Sequence, residues 1–154
     1  MALRSDQLNK ILNATLHRTH YWGAVSFEDL PLSIKNFPFC VVINSSPKDN
    51  FYGHWTCLFA ENKHSGVYFD SFGLSPWGRI HDLIIRNLKN VIFNKRLLQN
   101  PESEACGYYC ILMLKNLDAR ISLAEAMSQF SDDVIENDKK VISQIRRLIS
   151  VLKV

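Results

Sequence analysis

The sequence predicts an α+β fold, from short strand-like runs in its first half, amphipathic helical spacing at both ends, and one segment apolar nearly all round. With 154 residues, 47% of them hydrophobic, the chain has the size for one core and is short for two. The expectation is one domain over residues 1–154, with a small central mixed sheet flanked by helices.

Residues 5–17 place Leu8, Ile11, Leu12 and Leu16 on one helical face, with Ser5 or Asp6 available to cap the first amides. Residues 37–45, 54–60 and 67–72 are rich in aromatic and β-branched side chains between Gly, Pro, Asn and Ser, which predicts strands. The last two should form a hairpin around Glu61 to Gly66. Pro76 marks a place where a helix can begin, and Ile80, Leu83, Ile84 and Leu88 continue it to about Asn90. A short strand fits 91–98. Residues 106–117 read as a central, buried helix. The tail, 122–154, holds two more helical stretches. The second is opened by Ser131, Asp132 and Asp133 and closed by a basic half, and Glu136 and Lys140 lie four residues apart on it.

The opening residues are periodic, not a continuous apolar run, so they predict neither a signal peptide nor a membrane span. Cys40, Cys57, Cys106 and Cys110 form no C-x-x-C pair, and the histidines no H-x-x-x-H, so neither a metal site nor a disulfide framework is expected. A net charge of +3 does not by itself argue for nucleic acid. The basic tail helix is explained by its dipole and by docking, with weak evidence for a DNA contact and none for a membrane.

Cys106 follows the polar loop 100–104 and begins the apolar helix, where free amides and the positive dipole end favour a thiolate. Gly107 beside it admits a close backbone approach by a substrate. Cys110 lies a turn further in, and Cys40 and Cys57 sit in strands; all three read as core. A thiol nucleophile needs a histidine and a group that orients it. If Asn62 to His64 form a three-residue turn, paired residues sum to 126, which sets Thr56 opposite Asp70 and His54 diagonal to it, within side-chain reach. A two- or four-residue turn would break that parity.

Gly53-His54-Trp55, Tyr68-Phe69-Asp70-Ser71-Phe72-Gly73 and the block from Gln99 to Gly107 resemble, in order and in spacing, the signatures of adenain, the adenovirus protease family of cysteine proteases. Tyr21-Trp22-Gly23 and Asp29-Leu30-Pro31 resemble the family's opening, and the likeness spans about residues 5–117. It implies an adenain-like fold with the nucleophile at the N-terminus of a buried helix. It implies Cys106 as nucleophile, His54 as base and then acid, and Asp70 as the orienting carboxylate. Gln99 and the Cys106 backbone amide would form the oxyanion hole, with Trp55 packed beside the catalytic pair as a substrate contact. The implied reaction is peptide hydrolysis through a thioester.

The likeness also implies Gly-containing cleavage motifs in viral structural precursors, a role in virion maturation, and residence in the host nucleus or virus factory, with packaging in the virion. The family has glutamate where Asp70 stands, whereas the related ubiquitin-like-protein proteases have aspartate. No cofactor is required by the sequence. Adenain is activated by DNA and a tethered peptide, but residues 58–105 lack a cysteine for such a tether. The alternatives are a deubiquitinase or deSUMOylase of the same clan and a catalytically silent binding subunit.

Overall fold

The computed structural model describes residues 2–48 and 53–154. In chain order the elements are α1 (Ser5–Thr15), β1 (His20–Ser26), a 3-10 turn (Phe27–Asp29), β2 (Phe39–Asn44), β3 (Trp55–Asn62), β4 (Ser65–Phe69), α2 (Gly78–Asn87), β5 (Val91–Phe93), α3 (Cys106–Asp118), α4 (Leu123–Met127) and α5 (Val134–Leu152). The strands form one mixed sheet in the order β1-β2-β3-β4-β5. The outer pairs are parallel and the inner pairs antiparallel. This is the mixed sheet flanked by helices that the sequence predicts.

Both faces of the sheet are covered. Cys40, Val42, Cys57, Phe59 and Phe69 pack under α1, α3, α4 and α5. Val41, Ile43, Leu58, Ala60 and Tyr68 pack under α2, through Ile80, Leu83 and Ile84. Every residue of β2 is therefore buried, which explains why 37–45 reads as a continuous apolar run. The α1 stripe docks Leu8 and Leu12, both fully buried, each contributing about 2 kcal/mol. No helix among the described residues is long and apolar enough to cross a membrane.

The hairpin reaches the expected register by a different route. Pairs such as Cys57 with Phe69 and Leu58 with Tyr68 sum to 126. The turn nevertheless occupies only Lys63 and His64, with Asn62 paired to Ser65. The ladder shifts between Ala60 and Asn62, so Glu61 is an extra residue on β3. This bulge compensates for the shorter turn and restores the parity.

Other boundaries shift for local reasons. The N-cap of α1 is Arg4, ahead of the expected Ser5 or Asp6, and its backbone N–H donates to Gln7 Oε1 at 2.9 Å. α2 begins two residues after Pro76. β1 is half-exposed and interrupted by a bulge between Tyr21 and Ala24, so it lacks an alternating signature and does not stand out in the sequence. In α5, the Asp133 side chain accepts from Glu136 N, as an N-cap should. Glu136 meets Lys139 at 3.4 Å, while Lys140 Nζ donates to the Gln129 carbonyl.

Candidate active site

His54, Asp70 and Cys106 meet where β3 starts, β4 ends and α3 starts. His54 immediately precedes β3, and its main chain is held by Ser45: Ser45 N donates to His54 O and His54 N donates to Ser45 Oγ, each at 3.0 Å. Gly53 before it lies so close to Asn44 that a Cβ would fall 1.8 Å from the Asn44 Oδ1. Glycine in this block therefore brings the histidine in tightly against the end of β2.

Asp70 is the first residue past β4. Its Oδ1 accepts from His54 Nε2 at 2.7 Å and from Phe72 N at 2.8 Å. A carboxylate is an acceptor, so Nε2 is the donor in this bond, and the Cys106 side chain is a second polar neighbour of the imidazole. Phe72 stacks on the imidazole face, with centroids 4.1 Å apart and planes 7° from parallel. Gly73 N then donates to Asp70 O, and Gly73 sits at φ +75° with its Cα facing the backbone of Lys95 and Arg96, where a Cβ would be 2.8 Å away. The Asp-Ser-Phe-Gly run thus supplies a carboxylate, a ring that backs the imidazole and the left-handed turn that holds both.

Burial is the largest single influence on His54 and pulls its pKa down. Hydrogen bonds with Asp70 and Cys106 and the negative charge of both outweigh it, and the imidazole is pushed up to about 9. Cys106, 6% exposed, is the first residue of α3, where backbone amides lack intrahelical acceptors. Cys110 differs: burial, foremost, pushes its thiol well above the ordinary range, and Cys40 is shifted the same way for the same reason. Among the four thiols, Cys106 is the one bonded to a histidine, so the geometry suits proton transfer between thiol and imidazole.

Gln99 is joined to this cluster through Ser71, whose hydroxyl donates to Gln99 Oε1 at 2.6 Å and whose carbonyl accepts from Leu98 N and Gln99 N. Its Nε2 donates to Ser103, to the carbonyl at 3.0 Å and the hydroxyl at 3.3 Å. The amide donor is thus engaged by the loop leading to Cys106. Trp55 is buried, and its indole N–H donates to Leu3 O at 3.0 Å. Gly107 lies under Leu3, whose Cβ would be 3.2 Å from a Cβ placed on the glycine. Ala2 N continues this strap by donating to Glu104 Oε2. The close neighbour of both expected substrate contacts, Trp55 and Gly107, is therefore Leu3 of this chain's own N-terminal segment. A surface hollow of about 550 Å³ lies elsewhere, lined by residues such as Phe59, Val67, Phe93, Leu117 and Met127.

Sequence reasoning did not single out Ser45, Ser71, Phe72, Asn94 or Leu3. Ser71 and Phe72 lie inside a block already noted for other reasons. Ser45, Asn94 and Leu3 act through contacts between distant segments, for which one sequence carries no local signal.

No protein-family model matches the chain. It is similar to an uncharacterized protein, V9, of Sputnik virophage, 22% identical over a stretch covering 77% of this chain and 79% of that protein. The central domain of an uncharacterized Legionella pneumophila protein shares the fold, with a TM-score of 0.56, 12% identity, and coverage of 97% of this chain and 98% of that one. A crystal structure of an ASFV protease gives a TM-score of 0.44 and 22% identity over 66% of this chain. This chain spans 40% of that protease's length.

Proposed function

We propose that the protein is a cysteine endopeptidase in which Cys106 attacks a peptide carbonyl, His54 takes the thiol proton and returns it to the leaving amine, and Asp70 holds the imidazole. The observation that carries this reading is a single imidazole held by Asp70 at 2.7 Å, with the Cys106 side chain, at a helix N-terminus, as its other polar neighbour. The three adenain-like sequence blocks support it independently.

In the proposed reaction the thiolate carbon–sulfur bond forms as the carbonyl oxygen becomes an oxyanion. The Cys106 backbone amide and Gln99 Nε2 stabilise that charge, which requires Gln99 to release Ser103 or to offer its second hydrogen. Collapse to a thioester expels the amine with the proton from His54, and water then hydrolyses the thioester with His54 again acting as base. The substrate class is a protein or peptide with Gly-containing motifs. Similarity to an uncharacterized virophage protein supports a viral setting, and processing of viral structural precursors is the role proposed there.

A peptide library scored by mass spectrometry tests both levels. Cleavage that disappears in Cys106→Ala and His54→Ala, with Gly preferred before the cut, is the expected result. Cleavage without Gly preference would remove the motif and keep the enzyme. No cleavage, together with uniform labelling of all four thiols by a peptide electrophile, would favour the silent binding subunit.

A further inference from the structure

We propose that Asn94 is a positioning residue for this site, gripping the main chain of Asp70 so that its carboxylate is aimed at His54. The inference rests on the reading of His54, Asp70 and Cys106 as the reacting set.

The need for such a grip comes from the sheet. β4 pairs with β5 in parallel up to Tyr68 opposite Phe93, and both strands end immediately afterwards. Asp70 therefore lies beyond the backbone ladder, on a segment about to turn at Ser71 and Phe72. A carboxylate carried on a free strand end would sample many directions, and misplacing a reacting group by about 1 Å can cost on the order of a hundredfold in rate.

Asn94 replaces the missing ladder with its side chain. Its Oδ1 accepts from Asp70 N at 3.1 Å, and its Nδ2 donates to Asp70 O at 2.6 Å. One carboxamide thus satisfies both main-chain groups of the aspartate, as a neighbouring strand would. The same Nδ2 contacts Arg96 O at 3.2 Å, tying the clamp to the loop behind Gly73. Asn94 is 5% exposed, and Asp70 4%, so water cannot take over these bonds without opening the site.

The remaining contacts of Asp70 show why its backbone decides the carboxylate's direction. Oδ1 is shared between Phe72 N and His54 Nε2, both of which follow from where the Asp70 main chain stands. The next residue carries the same order on to Gln99, through Ser71 Oγ and Ser71 O. Asn94 lies at the origin of that chain of bonds, where aspartate would lose the donor and alanine both partners.

The test is a titration of the His54 ring by NMR in wild type, Asn94→Ala and Asn94→Asp, with the exchange rate of the Asp70 amide followed in the same samples. The expected result is that His54 in Asn94→Ala titrates about one unit lower than in wild type, a tenfold change in proton affinity. The Asp70 amide should lose protection in Asn94→Ala and keep more of it in Asn94→Asp, which retains the acceptor. An unchanged His54 titration in variants that are merely less stable would overturn the proposal and leave Asn94 a strand-end fastener. If Asn94→Ala does not fold, the uncharged Asn94→Ser decides by the same two readouts. Labelling of Cys106 by a thiol electrophile separates this from the protease reading. A chain whose Cys106 never labels selectively but whose His54 titration depends on Asn94 would retain the clamp and lose the enzyme, and the reverse pattern would do the opposite.

Discussion

Asp70 and Asp118 are both buried carboxylates at the end of an element, yet their surroundings differ in kind. Asp118, the last residue of α3, accepts from the backbone N–H groups of His17, Arg18 and Thr19 and from the Thr19 hydroxyl. Burial raises its pKa most strongly, but the Thr19 hydroxyl and the three amides outweigh that and hold the carboxyl below its usual range. Every one of those donors belongs to the turn between α1 and β1, so Asp118 closes a loop. Asp70 is fastened through its backbone, by Asn94, and one of its carboxylate oxygens is turned to an imidazole. A carboxylate saturated by local amides stabilises; one held from behind and presented to a titratable ring is placed for chemistry.

The comparison is broken most severely at Asp70. Asp70→Asn should lower peptide hydrolysis by about 10⁴-fold, because the amide no longer fixes the imidazole tautomer or stabilises its charged form. Asp118→Asn, with one acceptor oxygen kept, should leave turnover per folded molecule within about twofold, since nothing in the site touches it. Steady-state rates at neutral pH check both. Gln99→Ala should reduce kcat by roughly 10² to 10³ while Cys106 still labels with an electrophile, which separates oxyanion stabilisation from thiol activation.

Stability runs in the opposite order. Asp118→Ala strands several part-buried donors and should cost about 2 kcal/mol, read from urea unfolding, with little change at the thiol. Because its folded pKa is depressed, Asp118 contributes above the unfolded value of 3.8 and loses that contribution as pH falls through the folded value. His54 carries the other sign. Its folded pKa of about 9 lies above the ordinary 6.5, so its contribution is complete below 6.5 and disappears as pH rises through 9. Cys106→Ala removes one of the two side chains that hold the His54 pKa up, so the loss should move to lower pH, a smaller effect visible when the unfolding curves of the two proteins are compared at pH 6 and pH 9.

How much of this was legible beforehand follows from which interactions are local. The apolar stripe of α1, the all-round apolarity of α3 and the continuous run of β2 predict their own burial. The 126 register was legible too, although its parity survives by a bulge at Glu61 that no turn rule indicates. β1 was not legible, because an interrupted, half-exposed edge strand lacks alternation. At the site, residue types and spacing nominate His54, Asp70 and Cys106, and the likeness to adenain adds Gln99, whereas the Asn94 clamp and the Leu3 strap join residues 24 and more than 50 positions apart. Such contacts arise from topology and become readable only when the sheet is assembled.

The most direct measurement is time-resolved intact mass spectrometry after treatment with a thiol-directed peptide electrophile ending in Gly-Gly, on wild type, Asp70→Asn and Asp118→Asn. The account predicts rapid single labelling at Cys106 in wild type and in Asp118→Asn, and its loss in Asp70→Asn. Equal rates in the two aspartate variants, or slow labelling spread over Cys40, Cys57, Cys106 and Cys110 in wild type, would contradict it.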